Sequence, residues 1–182
     1  MKTSLPDTSV TRLILDILFL PRFRLPESSH AFWHSFVSAS QQEGVDAVVY
    51  YLLKKKCLDT CLPTLLRDVL AERFQRNLIS NLSLHSHLKQ VLNRLNEAGV
   101  AHLLLKGFAL AKYFYPSPGM RGMSDVDLLV HKAELIAVDA CLNGFGYQAV
   151  DTDVTKALQN PEGYLSSLEY RRKDETACIL HI

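Results

Sequence analysis

Through the first hundred positions apolar residues recur at intervals of three and four, while Gly and Pro fall only at the joints, which predicts a series of helices. The first runs from Val10 to Leu20, capped by Asp7 or Ser9, and Pro21 to Pro26 forms a linker. Ser28 or Ser29 opens a second helix carrying Phe32, Trp33 and Phe36, which Gly44 ends. A third, Val45 to Leu58, turns Val48, Tyr51 and Leu52 inward and ends in Lys54-Lys55-Lys56, where solvated cations complement the helix dipole. Pro63 starts the longest helix: Leu66, Leu70, Phe74 and Leu78 make one stripe, and Leu88, Val91, Leu92 and Leu95 continue it to Ala98-Gly99.

Beyond Gly99 the pattern changes to short apolar runs separated by helices. Val100 to Leu105 reads as a buried strand, Phe108 to Tyr115 as a short helix, and Ser124 to Val130 as a strand, a β-α-β start. Lys132 to Leu142 gives a helix ended by Asn143-Gly144, then Tyr147 to Val150 a further strand. Leu168 to Arg172 and Thr176 to Ile182 suggest a hairpin turning at Lys173-Asp174-Glu175. The expected fold is α+β: a helical region over residues 1–97, then a mixed sheet with flanking helices over 98–182.

The chain has 182 residues, 48% of them hydrophobic and 21% charged, enough to bury a core and too apolar for wholesale disorder. Its net charge of +1 provides no global basic field for nucleic acid, so any polyanion site must be local. The run Leu13 to Leu20 is interrupted by Asp16 and falls short of the roughly 20 residues of a membrane span. Nothing near it resembles a secretory cleavage site, so the expected location is the cytoplasm, without membrane partners. Cys57, Cys61, Cys141 and Cys178 sit among apolar residues, as reduced and mostly buried thiols do; Cys57 and Cys61 are read as one face of a helix. His85, His87 and Arg76 are assigned to helix surface, because no carboxylate or cysteine lies at ligand spacing.

The chemistry is concentrated between residues 103 and 130. In Ser124-Asp125-Val126-Asp127-Leu128-Leu129-Val130, strand alternation sends Asp125 and Asp127 to the same side, about 6–7 Å apart. Two carboxylates at the mouth of a buried strand call for a cation, and magnesium is the natural guest, keeping waters and taking further ligands from substrate phosphates. In Leu105-Lys106-Gly107-Phe108 the glycine marks the passage from strand to helix, where free N–H groups can meet an anion. Lys106, Arg121 and Ser124 flank these elements as donors suited to a triphosphate.

The stretch LLLKGFALAKYFYPSPGMRGMSDVDLLV, with its following helix and Gly144-Phe145-Gly146-Tyr147, resembles the uncharacterised nucleotidyltransferase family of the DNA polymerase beta-like superfamily. The resemblance covers residues 100–150 most specifically and the tail to 182 more weakly. It implies a polymerase beta-like core in which Asp125 and Asp127 hold two magnesium ions. One would bind a nucleoside triphosphate, ATP foremost, and the other would activate an acceptor hydroxyl for in-line attack on the α-phosphorus, with pyrophosphate leaving. Gly107 would admit the phosphates to the backbone, Lys106 and Arg121 would contact them, and Ser124 would add a hydrogen bond. The acceptor is left open among a small molecule, a protein and a nucleic-acid end.

This sequence departs from the family in one strand. Members tend to read Glu-Leu-His-Trp where this chain has Ile179-Leu180-His181-Ile182, so a third carboxylate is missing unless Glu169, Asp174 or Glu175 replaces it. The chain also ends where members continue with further helices, as a fragment or a truncated copy would. Two other readings follow: a weakened or inactive nucleotidyltransferase-like binding module acting through its helical half, and a purely helical interaction protein with an apolar groove around Trp33 and Phe36.

Overall fold

A computed structural model of the chain describes residues 8–150, 168–172 and 179–181. Its helices are α1 (Thr8–Phe19), α2 (His30–Gln42), α3 (Asp46–Lys55), α4 (Thr64–Glu97), α5 (Lys106–Tyr113) and α6 (Leu135–Gly144). Its strands are β1 (His102–Leu105), β2 (Asp125–Val130), β3 (Tyr147–Ala149), β4 (Glu169–Arg172) and β5 (Ile179–His181). The class is α+β, as the periodicity predicts. Two compact units divide inside α4, with residues 1–79 and 116–122 in one and 80–115 and 123–182 in the other. The change from helical to mixed pattern at 97/98 is a change of secondary structure, and the units do not follow it.

In the first unit α1, α2 and α3 pack together around Ile17, Phe36, Val49 and Leu53, all almost fully buried. Ser29 caps α2 by accepting a hydrogen bond from the Phe32 N–H at 3.3 Å, and Gly44 ends the segment at φ +67°, where only glycine sits without strain. Trp33 and Phe36 are 4% and 0% exposed, with rings edge to face at 5.6 Å; they are core, which removes the groove expected of a helical interaction protein. The buried face of α3 comprises Asp46, Ala47, Val49, Tyr50 and Leu53, not Val48, Tyr51 and Leu52. Asp46 is what rotates the pattern: it is buried in the first turn, where the helix dipole favours a carboxylate, with Arg73 Nε 3.8 Å away.

The lysine run is not uniformly solvated. Lys56 Nζ donates to the carbonyls of Leu20 (3.2 Å) and Pro21 (2.9 Å) and lies 4.3 Å from the Phe23 ring centroid. It thereby satisfies acceptors beyond the end of α1 and pins the linker. Cys57 and Cys61 are likewise corrected. Both are exposed, Cys57 in a left-handed turn (φ 55°) and Cys61 in a 3-10 turn, Asp59–Cys61, so they share no helix face. Cys141 is half-buried, and Cys178 lies outside the described residues.

The second unit holds one five-stranded sheet in the order β1-β2-β5-β4-β3. β1 and β2 pair antiparallel, so the expected β-α-β start is not a parallel crossover unit; α5 is short enough for the chain to double back. β2 and β5 are parallel, while β5–β4 and β4–β3 are antiparallel. The second half of α4 and helix α6 cover one face with Leu88, Val91, Leu95, Val138 and Leu142, over Val126, Leu128, Tyr147 and Tyr170. Each such aliphatic contributes about 1.5–3 kcal/mol of burial. On the other face Leu103 and its register partner Leu129 are more than half exposed. Among the described residues no helix is long and apolar enough to cross a membrane.

Candidate active site

Asp125 opens β2 and Asp127 follows two residues later, so the pleat puts both on the face that carries Leu129, opposite the core residues Val126 and Leu128. Asp127 is 9% exposed, the most enclosed acid of this unit's sheet. Its charge is met by Lys106, whose Nζ donates to Asp127 Oδ1 at 2.8 Å. This contact follows from the pairing of β1 with β2. Leu105 is the register partner of Asp127, so the next residue leaves the strand beside the carboxylate.

Lys106 has φ +47° and Gly107 has no positive φ, which corrects the expectation that the glycine supplies the special backbone at this junction. The left-handed turn falls on the lysine, where a non-glycine residue is strained. That strain accompanies the ion pair: the turn ends β1 and starts α5 in a single residue. The Asp127 hydrogen bond first, then its charge, hold the Lys106 ammonium above its ordinary pKa against a small opposing desolvation, with Asp125 adding a little. Ser124 Oγ donates to Asp125 Oδ1 at 3.3 Å.

Lys106, Gly107, Ser124, Asp125 and Asp127 thus fall within one unit, the first two at the start of α5 after β1 and the other three at the start of β2. Arg121 belongs to the other unit, directly after the 3-10 turn Pro118–Met120. That turn is built against the first half of α4. Asn77 Nδ2 donates to the Gly119 carbonyl at 3.3 Å, and a Cβ on Gly119 would lie 2.6 Å from the Phe74 ring. A Cβ on Gly122 would lie 2.9 Å from Asn77 Oδ1. Sequence reasoning passed over Gly119, Gly122 and Asn77. The available signal was the pair of glycines three apart around Arg121, together with an Asn in the apolar line of α4.

The third acid is absent from the described neighbourhood. β5 lies beside β2 with Ile179 as register partner of Asp125 and His181 as that of Asp127. Glu169 is the partner of His181 on the next strand, so it shares a sheet face with Asp127 at two strand spacings, about 10 Å. Its Oε1 accepts from Arg171 Nε at 2.6 Å. Asp174 and Glu175 lie outside the described residues, and among the described ones no group of three or more His, Cys, Asp or Glu is placed to hold a metal ion.

Compared with known protein families, residues 29–178 match the model of the uncharacterised nucleotidyltransferases. The chain belongs to that family. No curated protein and no solved structure matches it. The match leaves out α1 and β5 and takes in every other helix and strand, the first unit's helices from α2 onward included. Nucleotidyl transfer is the general activity that this family's description suggests.

The donor set fits a hard divalent cation. Two carboxylates on one face are hard oxygen donors of the kind a magnesium ion takes beside water and phosphate oxygens, and the Lys106 ammonium competes for one of them. They do not furnish a closed protein cage.

Proposed function

We propose that the protein transfers a nucleoside monophosphate from a nucleoside triphosphate, ATP first among candidates, to a hydroxyl acceptor. The juxtaposition that carries the reading is Asp125 and Asp127 on one strand face with Lys106 bound to the second of them. In this reading the two aspartates hold magnesium together with the triphosphate, and Lys106 and Ser124 serve the phosphates. Bound magnesium would neutralise charge building on the phosphoryl oxygens. The acceptor oxygen forms a bond to the α-phosphorus, its proton passes to solvent or a carboxylate, and the α–β bridging bond breaks to release pyrophosphate. Lys106 has a role at both stages: it balances Asp127 before the metal arrives, and its long, exposed side chain can then turn to the triphosphate.

A two-metal arrangement would draw both ions onto the same two carboxylates, because position 179 supplies no acid. That favours weak activation of the attacking hydroxyl more than weak nucleotide binding, and it is what supports the alternative of a binding module. Titration calorimetry of ATP, GTP, CTP and UTP with magnesium, on wild type and on Asp125→Ala/Asp127→Ala, tests the reading, followed by a pyrophosphate-release assay. Binding that needs both the metal and the aspartates, with pyrophosphate released, supports transfer. Binding without release in the presence of small-molecule, protein and nucleic-acid hydroxyl acceptors supports the module, and no binding of any nucleotide overturns transfer and leaves the helical half as the working part.

A further inference from the structure

A second site lies on the opposite side of β1. The second half of α4, β1 and α5 enclose an open cleft of about 410 Å³, the size of a small-molecule pocket. Leu88, Leu92, Leu104 and Phe108 give it an apolar floor. Its polar lining is His85, Lys89, Asn93, Asn96, His102 and Lys112, without a carboxylate. Glu97, the acid next to Asn96 in sequence, is taken by Arg94 at 3.1 Å. In a chain of net charge +1, two lysines without a carboxylate beside them give this cleft a local anion-attracting field, and the amides add hydrogen-bond donors.

Two details give the lining direction. His102 Nδ1 lies 3.0 Å from the Val100 carbonyl, which can only accept, so Nδ1 donates to it, and Nε2 faces a ligand as an acceptor in the neutral ring and as a donor to an anion in the protonated one. The His85 ring stacks on buried Phe108 at 5.8 Å with planes 10° apart, so the lining includes a flat aromatic surface. The cleft is separate from the aspartates by alternation. His102 and Leu104 line it, whereas Leu103 and Leu105 alternate to the face of Asp127, the partner of Leu105.

The geometry points to a binding site for a small phosphate monoester with a ring or other apolar body. A carboxylate has two oxygens for these donors; a phosphate monoester has three terminal oxygens and up to two charges, and engages both ammoniums and the amides together. The apolar floor and the His85–Phe108 stack take the body. This assignment is independent of the transfer reaction and of magnesium.

The test is an NMR titration of the full chain with AMP, adenosine and inorganic phosphate, in EDTA, following the histidine ring signals. AMP is expected to shift His85 and His102 saturably, adenosine to bind at least tenfold more weakly, and Lys89→Gln/Lys112→Gln to lower AMP affinity at least tenfold. Both lysines are exposed, so this variant keeps the fold. Asp125→Asn/Asp127→Asn is expected to leave AMP binding unchanged. No saturable shift at millimolar AMP, equal affinity in the lysine variant, or loss of the shift in the aspartate variant would each overturn the assignment.

Discussion

Ile179 stands directly opposite Asp125 in the parallel pairing of β5 with β2. Register partners on neighbouring strands occupy the same face about 4.8 Å apart, so position 179 is where a third acid would join the pair. Ile179→Glu is therefore expected to tighten magnesium binding by about tenfold or more, because an added carboxylate raises both ligand count and site charge. Calorimetry with magnesium and ATP reads this directly. Unchanged affinity would mean that position 179 does not serve the aspartates.

Lys106 is expected to divide its effect between two variants. Lys106→Met keeps the left-handed backbone strain and removes the ion pair; Lys106→Gly removes both. Since the side chain is 71% exposed, neither should change the thermal midpoint much, with the glycine variant the more stable of the two. Both are expected to lose magnesium-ATP affinity at least tenfold through the missing ammonium. A methionine variant that binds as well as wild type would remove Lys106 from the site.

Gly119 tests how the Arg121 loop is held. Phe74 cannot yield easily, since its ring sits against Tyr50 at 5.6 Å and Tyr51 at 6.2 Å. Gly119→Ala is expected to cost about 1–3 kcal/mol in urea unfolding through overpacking. In a Phe74→Leu background the cost should fall, and a double-mutant cycle measures that coupling. Additive effects would show that the contact is not what requires glycine.

The elements of this fold were legible because periodicity is a local property, and the aspartate pair was legible because alternation in a strand is as well. The burial of α3 was not, since Asp46 is drawn inside by tertiary partners that no window of ten residues contains. The stripe of α4 failed in the same way: it runs through Asn77, with Leu78 only half-buried, because a loop forty residues later takes a donor from Asn77. Lys106 was legible as a cation but not as the residue bearing the strained turn. Glycine is the sterically cheaper choice for that turn, and only the β1–β2 register explains why a side chain is wanted there. The strand order, which separates Glu169 from the aspartates, depends on long-range pairing that the sequence does not express.

Tyr170 provides a test of the sheet's support. Fully buried on β4, it donates its hydroxyl to Asp139 Oδ1 at 2.9 Å, while Asn143 Nδ2 donates to Oδ2 at 2.9 Å, so α6 and β4 are tied through one carboxylate. Burial first, then that hydrogen bond and the carboxylate's charge, push the phenol well above its ordinary pKa. In the unfolded chain it ionises near pH 10, so its contribution is complete below about pH 10 and is lost as pH rises toward the folded value. Tyr170→Phe is expected to cost about 1–2 kcal/mol at neutral pH, the worth of a hydrogen bond to a partly solvated carboxylate. The variant, having no proton to lose there, should decline less steeply between pH 9 and pH 11 in parallel thermal melts. Parallel curves for variant and wild type across that interval would show that Tyr170 keeps an ordinary pKa and that the Asp139 contact does not hold α6 to the sheet.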